Sequence, residues 1–290
     1  MPRSKRTRNY KRKYRARRSR KGTRRLRGGS INHSPTDTGL NKTIWLLWLQ
    51  GWDKAPWIVQ KVKESWEKQN DGWKIITLTS DNLKEYVDIP YIGKGSITPQ
   101  AKSDIIRLSI LEKHGGVWAD ATLLCMKPLD SWVWEHIKPS DFWMYHGADW
   151  GPKDINHGPA SWFIVSKQGS YIISKWKSAC DIYWAHRETP HSYLWMDSLF
   201  KDIYDTDEKF KKEWDAIINI DCEAPLQPHM FVFGSWKQDS EQLKNDLRHK
   251  SPFVIKMSSR QWQEEFPDVT SNKCISSTGF FAIEIATKKI

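Results

Sequence analysis

Thr-Ile-Trp-Leu-Leu-Trp-Leu at 43–49 is an uninterrupted apolar run of strand length. A strand with no polar face must be covered on both sides, which points to a central sheet with other layers packed against it. Pro56 then opens a helix in which Ile58, Val59, Val62 and Trp66 recur at helical spacing, ending near Asn70-Asp71-Gly72. Residues 73–79 alternate as a second strand, and Ser80 is placed to cap a helix through Tyr86. Strand, helix, strand, helix is the grammar of a Rossmann-like α/β layer, with the strand at 43–49 opening a parallel sheet.

The next helix is marked at both ends. Thr98-Pro99 supplies the cap and first-turn signals, Ala101, Ile105, Leu108 and Leu111 form the buried stripe, and Gly115-Gly116 stops it. A short strand follows at 117–119. Further along, 162–165 reads as a strand, and 171–184 and 191–204 as helices; beyond Asp205 the alternation weakens. The fold class is therefore α/β.

The formal charge of +12 suggests a nucleic-acid binder until it is divided along the chain. Residues 1–27 hold 15 of the 46 Lys and Arg and no acid, leaving 31 bases against 34 acids. The basicity is local, and residues 1–40 have hardly any large apolar side chain to bury, so they read as a disordered arm ahead of a folded domain at 41–290. Such an arm suits an anionic membrane surface or nucleic acid, held by charge alone. No stretch reaches the roughly 18 apolar residues of a membrane span, and the N-terminus lacks the apolar core of a signal peptide. The expectation is a cytoplasmic protein, peripheral at a membrane if the arm engages one. Cys125, Cys180, Cys222 and Cys274 are widely separated and form no CxxC pair, as expected of reduced, buried thiols. The 18 tryptophans exceed what core filling ordinarily uses, so some should stack on rings, bases or sugars.

Polar residues cluster where the sheet is expected to stop. Ser103-Asp104-Ile105-Ile106-Arg107 lies on the helix before the glycine pair, and Trp118-Ala119-Asp120-Ala121-Thr122 closes the strand after it. Ligands of open α/β sheets sit outside the carboxyl ends of strands, which is where Asp120 falls. An aspartate there can hold a divalent cation against a diphosphate, or simply cap a loop. Asp104 and Arg107, three apart, share a helix face as an ion pair or as a joint ligand contact.

These blocks, together with Ile44-Trp45-Leu46-Leu47-Trp48-Leu49-Gln50-Gly51, Trp52-Asp53-Lys54-Ala55-Pro56 and Ser161-Trp162-Phe163, resemble the capsular polysaccharide synthesis proteins. Through them the chain resembles glycosyltransferases of the initiating α-mannosyltransferase type and the catalytic domains of clostridial toxins. The likeness covers about residues 41–205. It implies a GT-A fold with a mixed, mostly parallel sheet, a UDP- or GDP-sugar donor, a glycan or other hydroxyl acceptor, Mn²⁺ or Mg²⁺, and retention of configuration. By that resemblance Trp48 stacks on the donor base, Asp104 and Arg107 contact the donor sugar and phosphates, and Trp118 lies beside the donor. Gln50 and Ser103 join this donor-binding group. Asp120 matches the first carboxylate of a DxD motif whose second position here is Thr122, so that one metal ligand is weakened. His229 is the analogous candidate for completing the metal shell, and Asp197 for facing the acceptor or the reacting carbon. Two other classes remain open on the sequence: a silent GT-A body whose basic arm binds nucleic acid or an anionic surface, and a nucleotide-sugar hydrolase.

Overall fold

In a computed structural model, which describes residues 39–148, 158–231 and 234–288, the first apolar run becomes β1 (Thr43–Leu47), buried at every position. The other strands are β2 (Lys74–Leu78), β3 (Gly116–Ala119), β4 (Leu123–Cys125), β5 (Phe142–Ala148), β6 (Gly158–Ser166) and β7 (Val254–Lys256). Five of them form a sheet in the order β2-β1-β3-β6-β5, while β4 and β7 make a separate two-stranded ladder. All described elements belong to the unit Asp37–Ile290. The basic arm expected at 1–27 lies outside the described residues.

The sheet is mixed, but half of its pairings rather than most are parallel. β1 runs parallel to β2 and β3, whereas β3 with β6, and β5 with β6, are antiparallel. The physical reason lies in the connections. Parallel neighbours need a crossover of a dozen or more residues, as α1 (Trp57–Gln69) provides between β1 and β2, but only residues 149–157 separate β5 from β6.

The helical expectations hold with shifted ends. Pro56 is the N-cap of α1 rather than its first residue. Of the helix expected from Ser80, only α2 (Leu83–Tyr86) forms; the Asn82 side chain instead accepts from the Thr79 backbone N–H (2.9 Å) and holds a turn there. α3 (Pro99–His114) starts as expected, with the Thr98 hydroxyl accepting from the Ala101 N–H. After α4 (Val133–Ile137), α5 (Tyr171–Ala185) matches its sequence signal, and α6 (Trp195–Thr206) begins four residues later than expected.

Gly115 and Gly116 carry the turn from α3 into β3 with φ of 65° and 98°. A Cβ on Gly116 would lie 2.5 Å from the Thr43 carbonyl oxygen, and one on Gly115 2.5 Å from the Gln168 nitrogen. Both positions therefore exclude a side chain twice over, by conformation and by space. Because the turn is tight, α3 folds back along β3, and residues of its N-terminal half lie near the strand's carboxyl end.

Tryptophan is used mainly as core. Trp66, Trp118, Trp143 and Trp176 are fully buried, and Trp66 donates to the Leu123 carbonyl (2.8 Å), joining α1 to β4. The C-terminal helix Thr278–Thr287 closes over α1, with the Gln69 amide donating to the Ala286 carbonyl (3.0 Å). The four cysteines are buried free thiols. Burial pushes Cys125 and Cys180 up to about 12, as the reduced, unreactive reading requires. No helix among the described residues is long and apolar enough to cross a membrane.

Candidate functional site

β1 and β3 are parallel neighbours, so Trp48–Gln50 and Asp120 emerge from the same edge of the sheet. β6 is antiparallel to β3, with Ala119 opposite Phe163, which brings Ser161 and Trp162 to that edge as well. α3 adds Ser103, Asp104 and Arg107 from above. The Asp120 backbone N–H donates to the Trp162 carbonyl (2.9 Å), extending the ladder by one residue and fixing the carboxylate at its end.

Arg107 is the centre of this arrangement. Its Nη1 donates to Asp104 Oδ1 and to Ser161 Oγ, and its Nη2 to Asp120 Oδ1, each at 2.8 Å. The side chain is 6% exposed, and its guanidinium lies 5.6 Å from the centre of the Trp118 ring. Trp118 Nε1 also donates to Asp120 Oδ1 (3.0 Å), while Lys256 Nζ donates to Asp120 Oδ2 (2.8 Å). Asp120 thus accepts at both oxygens from positively charged groups. Burial pushes its carboxyl up, but Lys256 and Arg107 outweigh that and hold it below the ordinary carboxylate range, so it is ionised.

The other carboxylates behave oppositely. Asp104 is raised to about 6, chiefly by burial, with Arg107 opposing and Asp120 adding to the shift. Asp197, on the first turn of α6 and 7% exposed, is raised to about 7 by burial and then by the charge of Asp104. A carboxyl whose folded value exceeds its unfolded one destabilises the native state once it must ionise; the penalty is absent below about pH 4 and complete above about pH 7. Asp197→Asn is therefore expected to raise stability at pH 8, by up to about 4 kcal/mol at 1.36 kcal/mol per pKa unit, and to give no gain at pH 4. Denaturant melts of both proteins at the two pH values measure this.

Two cavities meet at Asp120. One, of about 300 Å³, is lined by Trp48, Gln50, Ser103, Trp118, Asp120 and Thr122 among others. The second, of about 470 Å³, is lined by Asp104, Arg107, Trp162, Asp197, His229 and Lys256 among others, and shares Gln100, Ser103 and Asp120 with the first. Each candidate donor-binding, metal or acceptor residue named from the sequence lines one cavity or both. Trp48 is only partly buried and keeps surface to offer a ligand ring. Trp118, by contrast, is fully buried, and its polar atom is engaged with Asp120.

Sequence reasoning missed Lys256. It stands opposite Leu123 in the β4–β7 ladder, and the Met257 N–H donates to the Thr122 carbonyl (2.9 Å), so β7 delivers the ammonium directly beside the loop that follows Asp120. The local signal was small: a single cation closing the apolar run Phe253-Val254-Ile255.

A divalent cation fits these residues poorly. Both oxygens of Asp120 already accept from cationic donors, and Thr122 offers no carboxylate. Among the described residues, no group of three or more His, Cys, Asp and Glu is gathered to hold a metal. His229 is 2% exposed, and its Nδ1 lies 3.6 Å from Cys222 Sγ and 3.7 Å from Glu223 Oε1. Burial, then the charge of Lys256, lowers it to about 4, so its ring is neutral. The ring packs on Trp162 with centroids 5.2 Å apart.

The chain is similar to known proteins over much of its length. Putative glycosyltransferase HOC1 of Saccharomyces cerevisiae is 26% identical over 263 residues, covering 78% of this chain and 66% of that protein. Initiation-specific alpha-1,6-mannosyltransferase of Candida albicans is 32% identical over 102 residues, 32% of this chain and 26% of that protein. Among solved structures, PaToxG glycosyltransferase aligns over 61% of this chain and 74% of its own with 13% identity and a TM-score of 0.39. The chain spans between about a quarter and two thirds of the length of the curated relatives it matches. The family model for capsular polysaccharide synthesis protein matches residues 3–275, and the chain belongs to that family.

Proposed function

We propose that this chain is a glycosyltransferase of GT-A type that moves a sugar from a UDP- or GDP-sugar to a hydroxyl of a glycan or similar acceptor. The observation that carries the reading is the pair of cavities joined at Asp120, with Arg107 and Lys256 at the junction. One cavity has a partly exposed indole to receive a flat base, and the other is lined by carboxylates and aromatic rings suited to sugar hydroxyls. Arg107 and Lys256 stand in the second cavity on either oxygen of the shared Asp120, beside the place where the diphosphate of a donor spanning both would lie.

In this reading Trp48 stacks on the base, while Gln50 and Ser103 offer hydrogen bonds to the ribose and phosphates. Asp104 and Asp197 hold hydroxyls of the transferred sugar and the acceptor. Arg107 orients Asp104 and Asp120 and adds its charge to the field at the diphosphate. The protein's contribution is orientation and electrostatic stabilisation of the leaving group. The relatives named as glycosyltransferases support this class, and the mannosyltransferase among them supports a hexose; retention of configuration is part of the proposal. The resemblance implies Mn²⁺ or Mg²⁺ at the diphosphate, but Asp120 is engaged at both oxygens by Arg107 and Lys256 and His229 is buried against Cys222 and Glu223, so no step is assigned to a cation. The poor fit described above makes the cation the first condition to vary.

The deciding experiment is release of nucleoside diphosphate from a panel of UDP- and GDP-sugars by the purified chain, with candidate glycan acceptors, in Mn²⁺, Mg²⁺ and chelator. Turnover of one donor, accelerated by acceptor, is expected, and the anomeric coupling constant of the product gives the stereochemistry. Release at the same rate without acceptor would make the protein a hydrolase. Failure of every donor to turn over or to bind would reject the reading.

A further inference from the structure

We propose that Lys256 takes the place of a divalent cation in this site, so that transfer runs on the ammonium charge alone. The inference rests on the transferase reading and concerns what neutralises the departing diphosphate.

Four observations converge. Lys256 Nζ lies 2.8 Å from the outer oxygen of Asp120, the position a cation would occupy on a carboxylate at the end of a β-strand. Its side chain is 18% exposed and lines the second cavity, so the charge faces the space where the donor would lie. The residue two beyond Asp120 is Thr122, which supplies no second anionic ligand. The other oxygen of Asp120 already accepts twice, from Arg107 and from Trp118, so three of the roughly four acceptor sites of the carboxylate are taken by the protein's own donors. An ammonium has three N–H donors. One is engaged with Asp120, and the ammonium nitrogen lies 6.0 Å from the centroid of the Trp162 ring; two donors remain for phosphate oxygens.

The chemistry requires no further participant. The bond between the anomeric carbon and the β-phosphate oxygen breaks with its electron pair going to that oxygen. The acceptor oxygen bonds to the anomeric carbon, and the acceptor's proton passes to the departing phosphate. Charge grows on the diphosphate as the bond breaks, and the ammonium, held by Asp120 rather than by solvent, is already aimed at it. Asp120 is thereby a positioning residue for Lys256.

The test uses the full chain stripped with chelator, and compares wild type with Lys256→Met, Lys256→Gln and Lys256→Arg. Wild type is expected to release nucleotide in chelator within about twofold of its rate in Mn²⁺. Lys256→Met and Lys256→Gln are expected to lose about 10²–10³-fold in kcat, the range seen when one donor to a developing oxyanion is removed, with Lys256→Arg intermediate. Calorimetry in chelator adds a readout that a structural role would not move: binding of UDP or GDP weakens at least about tenfold in Lys256→Met, while UMP or GMP binds as before. Turnover that appears only with added Mn²⁺, or a Lys256→Met variant at wild-type rate, overturns the proposal and leaves the transferase reading intact. No turnover of any donor, but metal-free and Lys256-dependent diphosphate binding, keeps the role of Lys256 and sinks the transferase. No binding at all removes both.

Discussion

Arg107→Met is expected to lower the melting temperature by on the order of 10 °C at pH 8, and to lose much less at pH 5. The guanidinium is buried and is the cation shared by Asp104 and Asp120. Removing one partner of a buried ion pair costs about 3–5 kcal/mol, because a charge is left without compensation. For a domain of this size each kcal/mol moves the melting temperature by roughly 2–4 °C. The pH dependence follows from Asp104, which burial already raises to about 6 even with Arg107 alongside. Without Arg107 it rises further above its unfolded value. A carboxyl raised in the folded state costs nothing below its unfolded value and its full penalty above the folded one. Acidification from pH 8 to pH 5 therefore relieves the variant, compared with wild type at each pH. Melts of both proteins at the two values decide it. An equal deficit at both would assign the loss to packing against Trp118 rather than to charge.

Asp120→Ala is expected to do the reverse, leaving much of the stability and removing most of the activity. Arg107 keeps Asp104 and Ser161 as partners and Lys256, 18% exposed, can turn to water, while the buried Trp118 N–H loses its acceptor, so the structural cost is about 1–3 kcal/mol. Turnover is expected to fall about 10²-fold, no further than in Lys256→Met, since the charge at the diphosphate is no longer held in place and reorganisation must occur during the reaction. Initial rates of nucleotide release at saturating donor measure it, with a melt of the same preparation as control. A variant near the wild-type rate would exclude Asp120 from the reaction under any account of the cation.

Much of the sheet edge that builds the site was legible in the sequence because its determinants are local. Thr98-Pro99, the stripe from Ala101 to Leu111, Gly115-Gly116 and the apolar strand ending at Asp120 are contiguous, and each carries its own geometry. Trp48, Gln50 and Ser103 were named through the family resemblance, and their cavity is assembled by the pairing of β1 with β3. What was not legible depends on pairing across distance. The antiparallel placement of β6 beside β3 carries no mark in β6 itself, where an apolar run fits either direction. Lys256 is 136 residues from the carboxylate it meets, and only the β4–β7 register joins them. The surplus of tryptophan pointed to ligand stacking, but rings such as Trp66, Trp143 and Trp176 are spent on the interior. A count of aromatic residues does not reveal which few remain at a cavity wall.

The ladder that delivers Lys256 is only three residues long on each strand, pairing Leu123 with Lys256 and Cys125 with Val254. Side chains alternate along a strand, so slipping β7 by a single position would rotate the ammonium to the far face and present an apolar neighbour, Ile255 or Met257, to Asp120. A residue gained or lost within β7, between Val254 and Lys256, would therefore exchange a charged site for an apolar one while leaving Asp120 itself untouched.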